Sequence, residues 1–276
     1  MCAESLVKTF KSQISNLKLM SRIQELFKKK NEGILNIYCT AGFPALDSTL
    51  TVMESLQENG ADIIELGMPY SDPLADGPVI QESGGVALHN GMTIKVLFTQ
   101  LKQLRQSIQV PVILMGYMNP VLQYGFEKFC ADAAACGVDG LILPDLPMRE
   151  FETEYRAVTQ KYKLDFVFLV TPETSEERIR KIDELSTGFI YAVSSSSTTG
   201  KDKNFSDVEV YLSKLKNMHL RNPVLVGFGI KDKATFASAC KYANGAIIGT
   251  AYIKALQDNN DVKATTKKFL GEILNG

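Results

Sequence analysis

Short apolar runs recur along the chain, and several are apolar at consecutive rather than alternate positions. That pattern belongs to strands buried on both faces, as in a parallel sheet covered by helices. The eight candidates are Ile34–Cys39, Asp62–Leu66, Pro111–Met115, Gly140–Leu143, Asp165–Val170, Gly188–Val193, Pro223–Val226 and Gly245–Ile248. Amphipathic stretches separate them. "LDSTLTVMESLQENG" predicts a helix capped by Asp47 or Ser48 and ended by Gly60, and "YGFEKFCADAAACG" one ended by Gly137. "SEERIRKIDELSTG" predicts a helix from the cap Ser175 to Gly188. Gly77–Ser107 has room for two helices. Strand, loop and helix repeated eight times, with no linker-like segment, predict one α/β domain over residues 1–276, a single (β/α)8 TIM barrel.

"SRIQELFKKK" reads as an extra N-terminal helix. It would cover the barrel bottom, because Ile23, Leu26 and Phe27 share one face. Residues 1–19 read as an extension or a further helix, without the apolar core of a signal peptide. An open doubly wound sheet is the other fold to weigh. It usually needs fewer strands, and no G-x-G-x-x-G follows the first strand here.

The net charge of −1 speaks against a dedicated nucleic-acid binder. It leaves phosphate ligands open, since backbone N–H groups at helix N-termini bind them without lysine. Five cysteines with no C-x-x-C read as reduced thiols of a cytoplasmic protein. His89 and His219 have no ligand-spaced partners, so no metal site is expected. Neither G-x-S-x-G nor a Walker sequence occurs.

Barrel enzymes react at the C-terminal ends of their strands. Glu65 ends the second run there, where a solvated acid and a general acid/base are both open readings. Apolar surroundings would raise its pKa toward neutrality. Asp76, before Gly77-Pro78, suits either a turn or helix cap or a functional carboxylate, and Asp72-Pro73 suits a turn. Gly227-Phe228-Gly229 and Gly249-Thr250 end the last two runs, where barrels commonly bind phosphate. Ser194–Ser206, "SSSSTTGKDKNFS", is long and hydroxyl-rich, as a lid over such a site would be. The residues by themselves predict a barrel enzyme for a small phosphorylated substrate.

Several motifs go further: "ELGMPYSDPLADGPVIQ", "YCTAGFP", "LMGYMNP", "GLILPDLP", "GFGI" and "IIGTA". Together, and in the order they take along the chain, they resemble the tryptophan synthase alpha chain family from about residue 20 to residue 272. The resemblance implies retro-aldol cleavage of indole-3-glycerol phosphate to indole and glyceraldehyde 3-phosphate, without metal or organic cofactor. It implies that Glu65 protonates C3 of the indole and helps to remove the side-chain hydroxyl proton. It implies that Asp76 holds the indole N–H. Tyr38, Met115, Ile142, Tyr191 and Phe228 would line the indole pocket, and Gly200, Gly229, Gly249 and Thr250 would bind phosphate.

The resemblance also implies a partner, a beta chain that carries pyridoxal phosphate and receives the indole in an alpha2-beta2 heterotetramer. Asp72, Pro73, Asn119 and Asp145 would face it. Loop six departs from the family's usual S-R-x-G-x-T-G. Ser195 stands at the arginine position and Ser197 at the first glycine, while Thr199 and Gly200 remain. That departure keeps an alternative open: a weakly active chain that mainly binds and stimulates the beta chain.

Overall fold

The computed structural model describes residues 20–193, 205–227, 229–257 and 261–276. The strands are β1 (Ile34–Thr40), β2 (Ile63–Gly67), β3 (Val112–Met115), β4 (Gly140–Ile142), β5 (Asp165–Phe166), β6 (Phe168–Val170), β7 (Ile190–Val193), β8 (Val224–Gly227) and β9 (Gly245–Ile248). Their order is β5-β4-β3-β2-β1-β9-β8-β7-β6, and every pairing is parallel.

The two ends of that order are halves of one stretch of chain. Asp165–Val170, expected as one strand, is divided at Val167 because its two halves serve different neighbours. β5 pairs with β4, and β6 pairs with β7. The Val167 N–H still donates to the Leu141 carbonyl at 3.0 Å, so the cylinder closes through this residue. The expected barrel is the observed one.

Two helix expectations change. The helix opened by Ser175 ends at Leu185, because Ser186 is already extended (ψ 144°). Gly188 instead lies beneath the barrel, where a Cβ would stand 3.4 Å from Ile23 Cγ2. Between β2 and β3 there are three helices, Pro78–His89, Ile94–Leu101 and Leu104–Ser107, rather than two. The helix ending at Gly137 is as expected, with that glycine in the left-handed conformation its cap needs (φ 85°).

The helix Arg22–Lys29 is opened by a capping box between Ser21 and Gln24. Ile23 enters the barrel and packs with Ile34, Ile63, Ile113 and Phe189, while Leu26 and Phe27 cover them. Polar groups latch this floor. Arg22 Nη1 meets Asp139 Oδ1 at 2.9 Å, and the Ser21 hydroxyl donates to Asp165. Arg105 pairs with Asp139, whose Oδ2 also accepts from the Val112 N–H at 2.8 Å. The helix Arg22–Lys29 thus covers the N-terminal end of the barrel interior. A second, larger core lies outside the strands, where Ile64, Leu66, Val112 and Leu114 meet the helices. This two-sided burial is the reason the runs are continuously apolar.

Candidate active site

Strand periodicity determines which residues reach the interior. In β2, Ile63 points inward while Ile64 and Leu66 face the helices, so Glu65 and Gly67 also point inward. Glu65 therefore lies within the strand rather than at its end, and it is 0% exposed. The reading as a solvated acid is ruled out. Its Oε2 accepts from Asn36 Nδ2 at 3.0 Å, while Oε1 is buried with no hydrogen-bond partner among the described residues. Burial drives its pKa up to about 8; the Asn36 bond opposes this and the Asp76 charge adds to it.

Asp76 sits on the loop after β2, with its N–H bonded to the Pro73 carbonyl at 3.0 Å. It does not cap the next helix. That place belongs to Gly77, and Pro78 begins the helix. The carboxylate is free of capping and partly buried, and burial raises its pKa to about 6 against the pull of a hydrogen bond from Tyr117. The Tyr117 hydroxyl also accepts from the Ala75 N–H at 3.0 Å, tying the loop to the end of β3. Motif reading did not single out Asn36 or Tyr117. A polar residue in the apolar run "ILNIYCT" was the available signal for Asn36.

Tyr38 and Tyr191 converge on the two acids. Burial pushes both phenols well above their ordinary pKa, and the charges of Glu65 and Asp76 push them further. Glycines make room for them. A Cβ on Gly67 would fall 2.0 Å from the Tyr38 hydroxyl oxygen, and one on Gly227 would fall 2.6 Å from that of Tyr191. Gly249 also abuts the Tyr38 side chain, so it is a packing position as well as a strand-end turn.

Met115 is partly buried on β3, and Ile142, its register partner on β4, is fully buried in the packed interior. Phe228 and Gly200 lie outside the described residues, as does the loop 194–204 with Ser195 and Ser197. Phe205 and Ser206, expected in that loop, already belong to the helix Phe205–Asn217. At the ends of the paired strands β8 and β9, Gly229 has a left-handed backbone (φ 46°) with open space around its Cβ position. Thr250 opens the helix Thr250–Gln257 beside it.

The four residues expected to face a partner share the rim. Asp72, Asn119 and Asp145 are exposed and Pro73 is partly buried. Asn119 Nδ2 donates to the Tyr70 hydroxyl at 2.9 Å, and the Tyr70 and Tyr117 rings meet at a tilt of 36° with centroids 5.4 Å apart. Both carboxyl oxygens of Asp145 accept from the Met118 N–H at 3.0 Å, at the start of the helix Met118–Tyr124. Among the described residues, no group of three or more His, Cys, Asp or Glu side chains could hold a metal ion. No helix among them is long and apolar enough to cross a membrane.

The family model described as Tryptophan synthase alpha chain matches residues 24–273. The chain belongs to the tryptophan synthase alpha chain family. The alpha chain of Flavobacterium johnsoniae is 52% identical over 255 residues, which are 92% of this chain and 100% of that one. That of Bacteroides thetaiotaomicron is 48% identical over 91% of this chain and 98% of its own length. Among solved structures, the alpha subunit of Legionella pneumophila superposes with a TM-score of 0.84 at 34% identity, covering 92% of this chain and 97% of its own. A tryptophan synthase chain of M. tuberculosis, in an aminoacrylate-bound form, gives 0.81 at 32% identity, covering 92% and 98%. As an alpha chain of tryptophan synthase it is a lyase of tryptophan biosynthesis, cleaving indole-3-glycerol phosphate to indole and glyceraldehyde 3-phosphate.

Proposed function

We propose that Glu65 and Asp76 divide the chemistry of this cleavage. Protonated Glu65 gives its proton to C3 of the indole ring, and the ring's enamine electrons form the new C–H bond. Positive charge then develops at the ring nitrogen, where ionised Asp76 stabilises it through the N–H. Glu65, now a carboxylate, takes the proton of the side-chain hydroxyl. The O–H electrons become the new carbonyl bond, the carbon–carbon bond breaks, and its electrons restore the ring. The proton is back on Glu65 at the end. The buried, singly bonded carboxyl of Glu65, with Oε1 unpartnered, carries this reading. Its raised pKa suits a group that both gives and takes a proton near neutrality.

Tyr38, Met115, Ile142, Tyr191 and Phe228 are proposed to surround the indole, and Gly200, Gly229, Gly249 and Thr250 to hold the phosphate. The steps ask only for proton transfer and charge stabilisation, so neither metal nor organic cofactor is proposed. A beta chain is the proposed partner, in an alpha2-beta2 assembly, on the rim of Asp72, Pro73, Asn119 and Asp145. Leu74, 89% exposed within that loop, favours an apolar contact there. The buried free thiols Cys39, Cys130 and Cys136 agree with a cytoplasmic location.

The test is indole release from indole-3-glycerol phosphate with beta chain present, for wild type and Glu65→Gln. Release by wild type and its loss in the variant support the assignment. Equal inertness of the two would overturn it, and stimulation of the beta chain without cleavage would select the binding role instead.

A further inference from the structure

Asn36 is an unusual tenant of β1. Its neighbours Ile34, Leu35 and Ile37 are all fully buried and apolar, and Asn36 itself is 0% exposed. An amide placed there without a partner would be destabilising. It faces inward, like Ile34. It pairs in register with Ile63, one inward step below Glu65, and Glu65 pairs with Tyr38. Asn36 therefore grips the carboxyl from the closed side of the barrel, through Nδ2 to Oε2 at 3.0 Å. The other oxygen of each member of this pair, Asn36 Oδ1 and Glu65 Oε1, is buried without a hydrogen-bond partner among the described residues.

We infer that Asn36 is a positioning residue for Glu65, fixing Oε2 from below so that Oε1 is the oxygen that exchanges protons with the substrate. An asparagine suits this place better than a lysine or a serine for two reasons. It adds no charge to a buried carboxyl. It also presents its N–H donors on a rigid plane. Nδ2 donates to Oε2 both when Glu65 is the carboxylate and when it is the acid with its proton on Oε1. The reaction passes through both states in each turnover. A partner able to serve only one of them would release Glu65 halfway. The inference rests on the assignment of Glu65 as the proton-transfer group.

The experiment replaces Asn36 by Val, which removes donor and acceptor while leaving a good strand former, and in parallel by Ala. The Glu65 carboxyl is titrated by carbon-13 NMR in the ligand-free protein, with its signal assigned by its absence in Glu65→Gln. Losing the bond to the ionised form should raise the midpoint by about one pH unit, tenfold in proton affinity. In the cleavage assay, kcat should fall about tenfold with KM within about twofold of wild type, as expected when only the reacting geometry is lost. A midpoint unmoved in a folded variant overturns the inference, because a merely structural asparagine would lower the melting temperature and leave the titration in place. Should Asn36→Val fail to fold, Asn36→Ala reads the same two quantities. The titration needs no substrate, so a wild-type chain that failed to cleave would overturn the assignment of Glu65 while the midpoint still decided the role of Asn36.

Discussion

Tyr38 lies across Gly67, so close that a Cβ on the glycine would fall 2.0 Å from the tyrosine hydroxyl oxygen. The two residues belong to paired strands, and the missing side chain of one is the space occupied by the other. Ring carbons Cζ and Cε2 would also lie within 2.4 and 2.7 Å, so the whole outer half of the ring must move aside. Gly67→Ala should therefore cost about 1–3 kcal/mol of stability, typical of overpacking. The displaced ring would enter the space proposed for indole, so KM should rise about tenfold or more. Steady-state kinetics beside a thermal melt checks both halves.

Cleavage should follow a bell-shaped pH dependence. Asp76 must be ionised to stabilise the ring cation, so activity falls as pH drops through about 6. Glu65 must begin protonated, so activity falls as pH rises through about 8. Profiles of kcat/KM against pH for the alpha half-reaction test the two limbs. A profile flat from pH 5 to 9 would contradict the assignment.

The same carboxyl makes stability depend on pH. Between the ordinary glutamate range and about 8, folded Glu65 keeps a proton that the unfolded chain has released. Its contribution is fully present at low pH and is lost as pH rises through that window. Glu65→Gln removes the titration. The variant should gain on wild type between pH 5 and pH 9, by up to about 4 kcal/mol, while losing cleavage. Denaturant unfolding of both proteins at the two pH values gives the comparison.

Tyr117→Phe removes the hydroxyl that bonds to Asp76 and accepts from the Ala75 N–H. That bond favours the ionised carboxylate, so Asp76 should titrate higher in the variant. The acid limb of the cleavage profile should move up in pH while the alkaline limb stays. The loop between β2 and the helix Pro78–His89 also loses an anchor, which faster amide exchange at Ala75 would report.

At the other end of the barrel, Ile23→Ala should cost about 2–4 kcal/mol, because it empties a fully buried position in the closed floor. The site lies at the opposite mouth, so kcat well below the melting temperature should change less than about twofold. Calorimetry with an activity assay separates the two effects.

The sequence by itself determined the strands, their parallel arrangement and the barrel. Strands buried on both faces must be continuously apolar, and that demand is written into consecutive residues such as "ADIIELG". It also marked Glu65, because an acid closing such a run is conspicuous, and the floor helix, because Ile23, Leu26 and Phe27 recur at helical spacing. Distances across strands were not available to it. Only the tertiary structure decided that Asn36 holds Glu65, that Gly67 and Gly227 make room for tyrosines, and that Tyr117 supports Asp76. Each of these pairs is far apart in sequence, on different strands or on the loops that follow them, and meets only because register and barrel closure bring those strands side by side. Periodicity tells which face a residue occupies; what it touches there depends on which strand lies beside it.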